Sequence, residues 1–190
     1  MKFCSECGSP DIVLRVPEGD TLPRHVCGAC AAIHYQNPKV VVGCLPEHGD
    51  QVLLCRRAIE PRLGLWTLPA GFLENGESLA AGAARETLEE ASARVRMGEL
   101  YTVISLPHIN QIYVMFRAEL ADLDFSPGPE SIEVRLFDED EIPWEELAFR
   151  TIIRTLRTFF LDRKRGTFPT HVSTLVRHAP VTPELTAAAA

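Results

Sequence analysis

The 190-residue chain contains no unbroken apolar run of about 18 residues, the length a helix needs to cross a bilayer. Its start, Met1-Lys2-Phe3-Cys4, lacks the charged and then apolar stretch of a secretory leader. Together these absences predict a cytoplasmic chain with no membrane partner. Basic residues are outnumbered: Lys and Arg total 19 against 26 Asp and Glu, a net charge of −7. That balance disfavours non-specific binding to polyanions such as nucleic acid, which are held mainly by Lys and Arg. It leaves small anionic ligands open. No internal repeat is present. What remains, 46% hydrophobic and 24% charged residues, is the make-up of a globular protein long enough to bury a core without disulfides.

Texture divides the chain into three parts. Residues 1–36 are rich in Cys, Gly and Pro with short apolar runs such as Ile12-Val13-Leu14, which predicts a small metal-stapled β ribbon. Residues 37–165 read as the main domain. Its β-rich runs Val40 to Leu45 and Val52 to Cys55 flank the turn-forming Glu47-His48-Gly49-Asp50, a predicted hairpin. The Pro- and Gly-punctuated stretch 66–71 precedes a predicted helix over residues 78 to about 91, dense in Ala, Leu, Glu and Arg. Strands are expected at 101–106, 112–118 and 134–137. A second helix is expected from about Trp144, with Phe149, Ile152, Ile153, Leu156 and Phe160 at helical spacing. The fold class is therefore α+β, a sheet flanked by helices. Residues 166–190 carry scattered Pro and end in four alanines, which predicts a weakly packed or disordered tail.

Cys4-x-x-Cys7 and Cys27-x-x-Cys30 form two thiol pairs, the spacing that wraps four sulfurs around a tetrahedral ion. Thiolates are soft ligands suited to Zn²⁺. Two disulfides or a redox pair are the alternatives, set back by the missing secretion signal. With four protein ligands no position is left for catalysis, so the zinc is expected to be structural. Cys44 and Cys55 fall inside predicted strands and stay outside the metal site. The ribbon holds Lys2, Arg15 and Arg24 against Glu6, Asp11, Glu18 and Asp20, no basic patch for a phosphate backbone.

The central feature is the predicted helix with its preceding loop. At about 100° per residue, Glu86, Glu89 and Glu90 share an arc of roughly 100°. Ala80, Ala84, Thr87, Leu88 and Ala91 fall on a separate stripe, the expected core face. Gly82 lies one turn before Glu86 on the acid side, where a missing side chain would leave room for an ion or ligand. Like charges on adjacent turns repel, and Arg85 neutralises them only in part. From the helix alone, a solvated acidic face is the competing explanation. Hard carboxylate oxygens select Mg²⁺ or Mn²⁺, ions that work with substrate phosphates.

The spacing Gly71-x5-Glu77-x7-Arg85-Glu86-x-x-Glu89-Glu90 resembles the signature of the Nudix hydrolases. Thr87 and Ala93 stand where that family prefers larger aliphatics, and Ser92 where it has Gly at the helix end. The resemblance implies a Nudix α/β/α sandwich with a mixed sheet. It implies Mg²⁺ or Mn²⁺ on Glu86, Glu89 and Glu90, an ion pair between Glu77 and Arg85, and Gly71 shaping the loop. A further carboxylate outside the signature often serves as ligand or base, for which Glu130 and Glu133 are candidates.

The ribbon followed by Tyr35-Gln-Asn-Pro-Lys-Val-Val-Val-Gly43 resembles zinc-containing Nudix enzymes, NADH diphosphatases among them. Their Ser-Gln-Pro-Trp-Pro-Phe-Pro-like motif is replaced here by Ser105-Leu-Pro-His108-Ile-Asn110-Gln111-Ile-Tyr113, which looks like the plant FAD and ADP-ribose diphosphatases and their bacterial relatives. The expected reaction is hydrolysis of FAD to FMN and AMP, or of ADP-ribose to AMP and ribose 5-phosphate. NADH hydrolysis is the alternative. A ribbon-mediated nucleic-acid or protein-binding module on a Nudix scaffold is the alternative from another class. Expected substrate contacts are Arg56 and Arg57 to the diphosphate, and Trp66, His108 and Tyr113 stacking on a ring; core packing is the competing role for the aromatics. A homodimer stays open by analogy with related hydrolases.

Overall fold

A computed structural model describes residues 1–177, and the final 13 positions, which include the alanine run, lie outside the described residues. The chain forms two compact units, Met1–Asn37 and Pro38–Ala190. In the first, β1 (Ile12–Arg15), β2 (Arg24–Cys27) and β3 (Ile33–His34) make a three-stranded antiparallel sheet in the order β1-β2-β3. This is the expected ribbon. No helix among the described residues is long and apolar enough to cross a membrane.

The second unit is built on one mixed sheet. Its strands are β4 (Lys39–His48), β5 (Gln51–Arg57), β6 (Trp66–Thr67), β7 (Ala70–Phe72), β8 (Val95–Leu106), β9 (Gln111–Leu120), β10 (Ser131–Phe137) and β11 (His171–Thr174). The main path runs β10-β5-β4-β9-β8-β11, with β6 beside β5 and β7 beside β4. The pairs β4/β9 and β8/β11 are parallel and the other pairs antiparallel. β4 and β5 form the predicted hairpin, turning at Gly49-Asp50 with Gly49 at φ +58°.

The two helices cover opposite faces. Leu45 and Leu54 pack with Ile152, Leu156 and Phe160 of α2 (Arg150–Arg165), whereas their sequence neighbours Cys44 and Leu53 pack with Ala83 and Ala91 of α1 (Leu79–Ala91). Alternation along a strand sends adjacent side chains to opposite faces, so both faces are buried. The buried Cys44 and Cys55 thiols are pushed up by loss of solvent, Cys44 to about 11, as expected for core cysteines.

Three segments depart from the sequence reading. α2 begins at Arg150, not Trp144; residues 144–146 form only a 3-10 turn. Leu147 bridges to Trp66, and the Ala148 amide donates to the Trp66 carbonyl at 2.8 Å, so these backbone groups are committed to strand-like pairing. The loop-like stretch 66–71 holds β6 and the start of β7, too short for an alternation to show. Residues 167–177, expected to be a loose tail, instead carry β11 and the buried His171 and Leu175.

Candidate active site

Ser78 starts α1 as its N-cap, its hydroxyl accepting from the Ala81 amide at 3.2 Å, and Ser92 ends it in the left-handed region at φ 50°. The helix does not present its acidic face wholly to solvent. Its buried positions are Gly82, Ala83, Glu86, Thr87, Glu90 and Ala91, while Leu88, expected in the core, is 52% exposed. Acid and core faces therefore overlap rather than separate. The cause is β7: it pairs with β4 alongside the helix, so its backbone meets the acid side. The Ala70 amide donates to Glu90 Oε2 at 3.2 Å. Thr87, small for its place, satisfies its buried hydroxyl by donating to the Ala83 carbonyl at 2.8 Å.

Arg85 is the hub. Its Nε and Nη2 donate to both oxygens of Glu77 at 3.1 and 2.8 Å, its Nη1 to Glu86 and Glu89 at 2.9 Å each, and Nη2 also to the Phe72 carbonyl at 3.2 Å. A planar fork with five donors can do this where an ammonium could not. Glu77 accepts in addition from the Glu74 amide at 2.7 Å. Arg85 first, with that amide, holds the Glu77 carboxyl down at about 2. Glu77 and Arg85 thus tie the loop before the helix to its second turn.

Burial works the other way on the helix acids. Loss of solvent, more than any neighbour, pushes Glu90 up to about 8, and Glu86 is also raised by burial against the pull of Arg85. The Glu130 charge acts weakly on both, raising them a little further. Glu133, the other candidate outside the signature, pairs with Arg56 at 3.8 Å, and both are exposed.

Two glycines act by proximity. A methyl group at Gly71 would lie 2.3 to 2.4 Å from the Glu86 carboxylate, so the missing Cβ is what lets β7 approach that acid. Gly82, read as leaving room for an ion, is instead filled: a Cβ there would meet Glu77 Oε1 at 2.6 Å and Val42 at 3.0 Å. The space belongs to the Glu77 side chain.

The proposed substrate contacts divide. Arg57 is buried, with Nε donating to the Pro61 carbonyl at 2.9 Å and its guanidinium 5.2 Å over Phe149. Its charge acts on both Glu90 and the Tyr113 hydroxyl, opposing the upward push of burial on each. Arg56 points elsewhere, donating to the Gly64 carbonyl and pairing with Glu133. Trp66 is a core residue, 6% exposed and edge-on to Phe137 at 4.9 Å, so it is no stacking platform. Tyr113 is half-buried, and His108 lies exposed in the 3-10 turn Pro107–Ile109.

In the ribbon, one ligand atom from each of Cys4, Cys7, Cys27 and Cys30 lies within 4.8 Å of the others, with Cys4–Cys30 and Cys7–Cys27 sulfurs 3.6 Å apart. Zn–S bonds of about 2.3 Å in a tetrahedron put sulfurs about 3.8 Å apart, so the four thiols fit zinc. The Cys30 amide foremost, opposed by burial, holds the Cys27 thiol down, whereas Cys7 and Cys30 are raised, burial and neighbouring thiols outweighing the backbone amides there, so the fit to zinc rests on the sulfur geometry. His34 was not singled out from the sequence, yet its buried Nε2 lies 3.3 Å from Cys4 Sγ. Its position four residues after Cys30 was the available signal. The Ala70 amide and Phe72 carbonyl leave no such trace, because any residue supplies them.

A Nudix N-terminal family model matches residues 2–36, and a NUDIX domain model matches residues 37–159. An NAD-capped RNA hydrolase, NudC, of Stutzerimonas stutzeri is 32% identical over 170 residues, 87% of this chain and 58% of that protein. The NudC of Chromobacterium violaceum is 31% identical over 159 residues, 82% of this chain and 57% of its own. The chain thus spans little more than half the length of these curated relatives. A NUDIX hydrolase structure from Nitrosomonas europaea is 60% identical, with a TM-score of 0.90, and covers 93% of this chain and 100% of that one. An ADP-ribose pyrophosphatase structure from Streptococcus suis, 19% identical with a TM-score of 0.57 over 73% of this chain and 100% of its own, shares the fold. With the loop-helix ion pair of Glu77 and Arg85 in place and the family model spanning strands β4 to β10 and most of α2, the chain belongs to the Nudix family of diphosphate hydrolases.

Proposed function

We propose that this chain cleaves the central diphosphate of an adenine dinucleotide, with NADH and NAD-type ends as the first substrates to test. The observation that carries the diphosphate chemistry is the set of helix acids Glu86, Glu89 and Glu90 on one side of α1, the first two tied to Arg85 and the third to the Ala70 amide, with the Arg57 charge acting on Glu90. The nicotinamide choice follows from the relatives, which are named for NAD-capped RNA hydrolysis. This reverses the sequence-based preference for FAD or ADP-ribose.

A divalent cation, Mg²⁺ or Mn²⁺, held by Glu86, Glu89 and Glu90 would screen the diphosphate and lower the pKa of an attacking water. Arg85 and Glu77 keep the loop and helix in register, so the carboxylates do not spread under their own repulsion. Arg57 meets a diphosphate oxygen with the guanidinium nitrogens not used on Pro61. Glu130, whose charge acts on Glu86 and Glu90, is the candidate to take the proton of the water. Tyr113 offers a ring face near Arg57 for a base or nicotinamide ring.

FAD or ADP-ribose is the second reading, favoured by one observation: the Ser105–Tyr113 stretch departs from the motif of the NADH enzymes. Nucleic acid enters only as an NAD-capped end, since neither the net charge nor the ribbon offers a basic track. The deciding experiment incubates the protein and Mg²⁺ or Mn²⁺ with NADH, an NAD-capped oligonucleotide, FAD and ADP-ribose, separating products by chromatography. Fastest AMP release from NADH, or release of the nicotinamide mononucleotide end from the capped RNA, supports the proposal. Fastest release from FAD or ADP-ribose moves it to the second reading, and no cleavage of any refutes both. Glu90→Gln should lower turnover by about 10² or more while the fold persists.

A further inference from the structure

The segment of β11 has no part in the chemistry above, yet it is fastened to the rest of the sheet at several points. β11 pairs in parallel with β8, from His171 opposite Thr102 to Thr174 opposite Ser105. The pairing ends where the Ser105–Tyr113 stretch begins, and the next amide, of Leu175, donates to the Ser105 carbonyl at 2.9 Å. At the other end, His171 Nε2 lies 2.6 Å from the buried Asp162 Oδ2, which also accepts from the Tyr101 hydroxyl at 2.9 Å. The Thr170 hydroxyl donates to the Leu100 carbonyl at 2.8 Å, and Arg150 Nη1 to the Val176 carbonyl at 2.9 Å. A strand held at both ends presents its next side chain in a fixed place. Leu175, 1% exposed, closes a small cluster with Ile104 and Leu106, and Tyr113 packs against it.

We propose that β11 with Leu175 is a buttress that sets the position of Tyr113, and through it the affinity of the site for the ring of its dinucleotide substrate. The inference rests on the reading of Tyr113 as a ring contact in a dinucleotide diphosphatase. Leu175 touches no reacting group; it is a positioning residue. Removing its side chain leaves space beside Tyr113, into which the ring can shift. Binding of the distal ring weakens, and the carboxylates around Arg85 are untouched. KM therefore rises while kcat holds.

The test compares Leu175→Ala, Leu175→Met and Val172→Ala with the wild type in the full chain. Val172 lies on the same strand but is exposed, so its truncation perturbs β11 without the packing behind Tyr113. Two readouts are taken: KM and kcat on the best substrate of the panel, and amide hydrogen exchange of residues 105–113. Leu175→Ala should raise KM about fivefold or more with kcat within about twofold, and speed exchange across 105–113. Leu175→Met should restore both, and Val172→Ala should change neither. Unchanged exchange in Leu175→Ala overturns the buttress, as does an equal fall in kcat and kcat/KM, or an effect of the same size in Val172→Ala. Wild-type inactivity on every dinucleotide would count against the proposed substrate class, while the exchange readout still decides whether Leu175 holds the Tyr113 stretch.

Discussion

Gly71→Ala is the sharpest perturbation the structure offers, because the change is one methyl group and its collision is with a single carboxylate. The added carbon would stand 2.3 Å from Glu86 Oε2 and 2.4 Å from Cδ and Oε1, where contacts below 3.0 Å essentially never occur. Glu86 must retreat by about 0.7 Å to reach that limit, and by roughly 1 Å to reach ordinary van der Waals contact. Retreat also pulls it from Arg85 Nη1, now 2.9 Å away. Displacing a reacting-site group by about 1 Å costs on the order of 10²-fold in rate. The fold should lose no more than about 1–3 kcal/mol, since the clash falls on the end of a flexible side chain. The assay is kcat/KM for AMP release at saturating Mg²⁺, with a thermal melt to show that the variant is folded. A folded Gly71→Ala protein within about threefold of wild-type activity would refute the reasoning.

Three further outcomes are expected. Burial holds the Glu90 carboxyl at about 8, so between its ordinary range and that value the folded chain keeps a proton the unfolded chain has released. Metal-free stability should therefore fall as pH rises through this window, and the melting shift produced by Mg²⁺ should grow, because less proton remains to be displaced; Glu90→Gln should flatten the slope, and a metal-free melt that rises with pH would contradict the assignment. Ser92, a non-glycine residue in the left-handed region at the end of α1, carries a conformational cost of about 1 kcal/mol; Ser92→Gly should raise the denaturant midpoint without changing kcat, and a lower midpoint would show that its hydroxyl matters more. A chelator strong enough to strip the four cysteines should abolish the protected amides of residues 1–36 first; identical exchange with and without it would exclude a structural ion.

The four ribbon cysteines and the three acids of α1 were legible as groups in the chain because each depends on short spacing. Paired knuckles place four thiols together wherever the ribbon sits, and three acids within five residues of one helix share a side by helical geometry alone. The hairpin at Gly49 followed from its turn residues, the first helix from its composition and the second from apolar spacing, whereas the mixed sheet came from the resemblance to the Nudix hydrolases. Local pattern thus determined the α+β class and pointed to phosphate chemistry, and the resemblance supplied the diphosphate.

Tertiary structure decided what depends on approach across the sheet. No period in the sequence tells that β7 comes against the acid side of α1, which buries Glu86 and Glu90, fills the place at Gly82 with Glu77 and leaves Leu88 in solvent. Nor does sequence separate Arg57 from Arg56: adjacent residues of one strand point to opposite sides, one into the interior over Phe149 and the other to Glu133. Trp66 and Tyr113 look alike as aromatics until their neighbours are known. The C-terminal strand is the largest addition. Its anchors reach back to Leu100, Tyr101, Ser105 and Asp162, contacts between distant parts of the chain that only a folded sheet edge brings together.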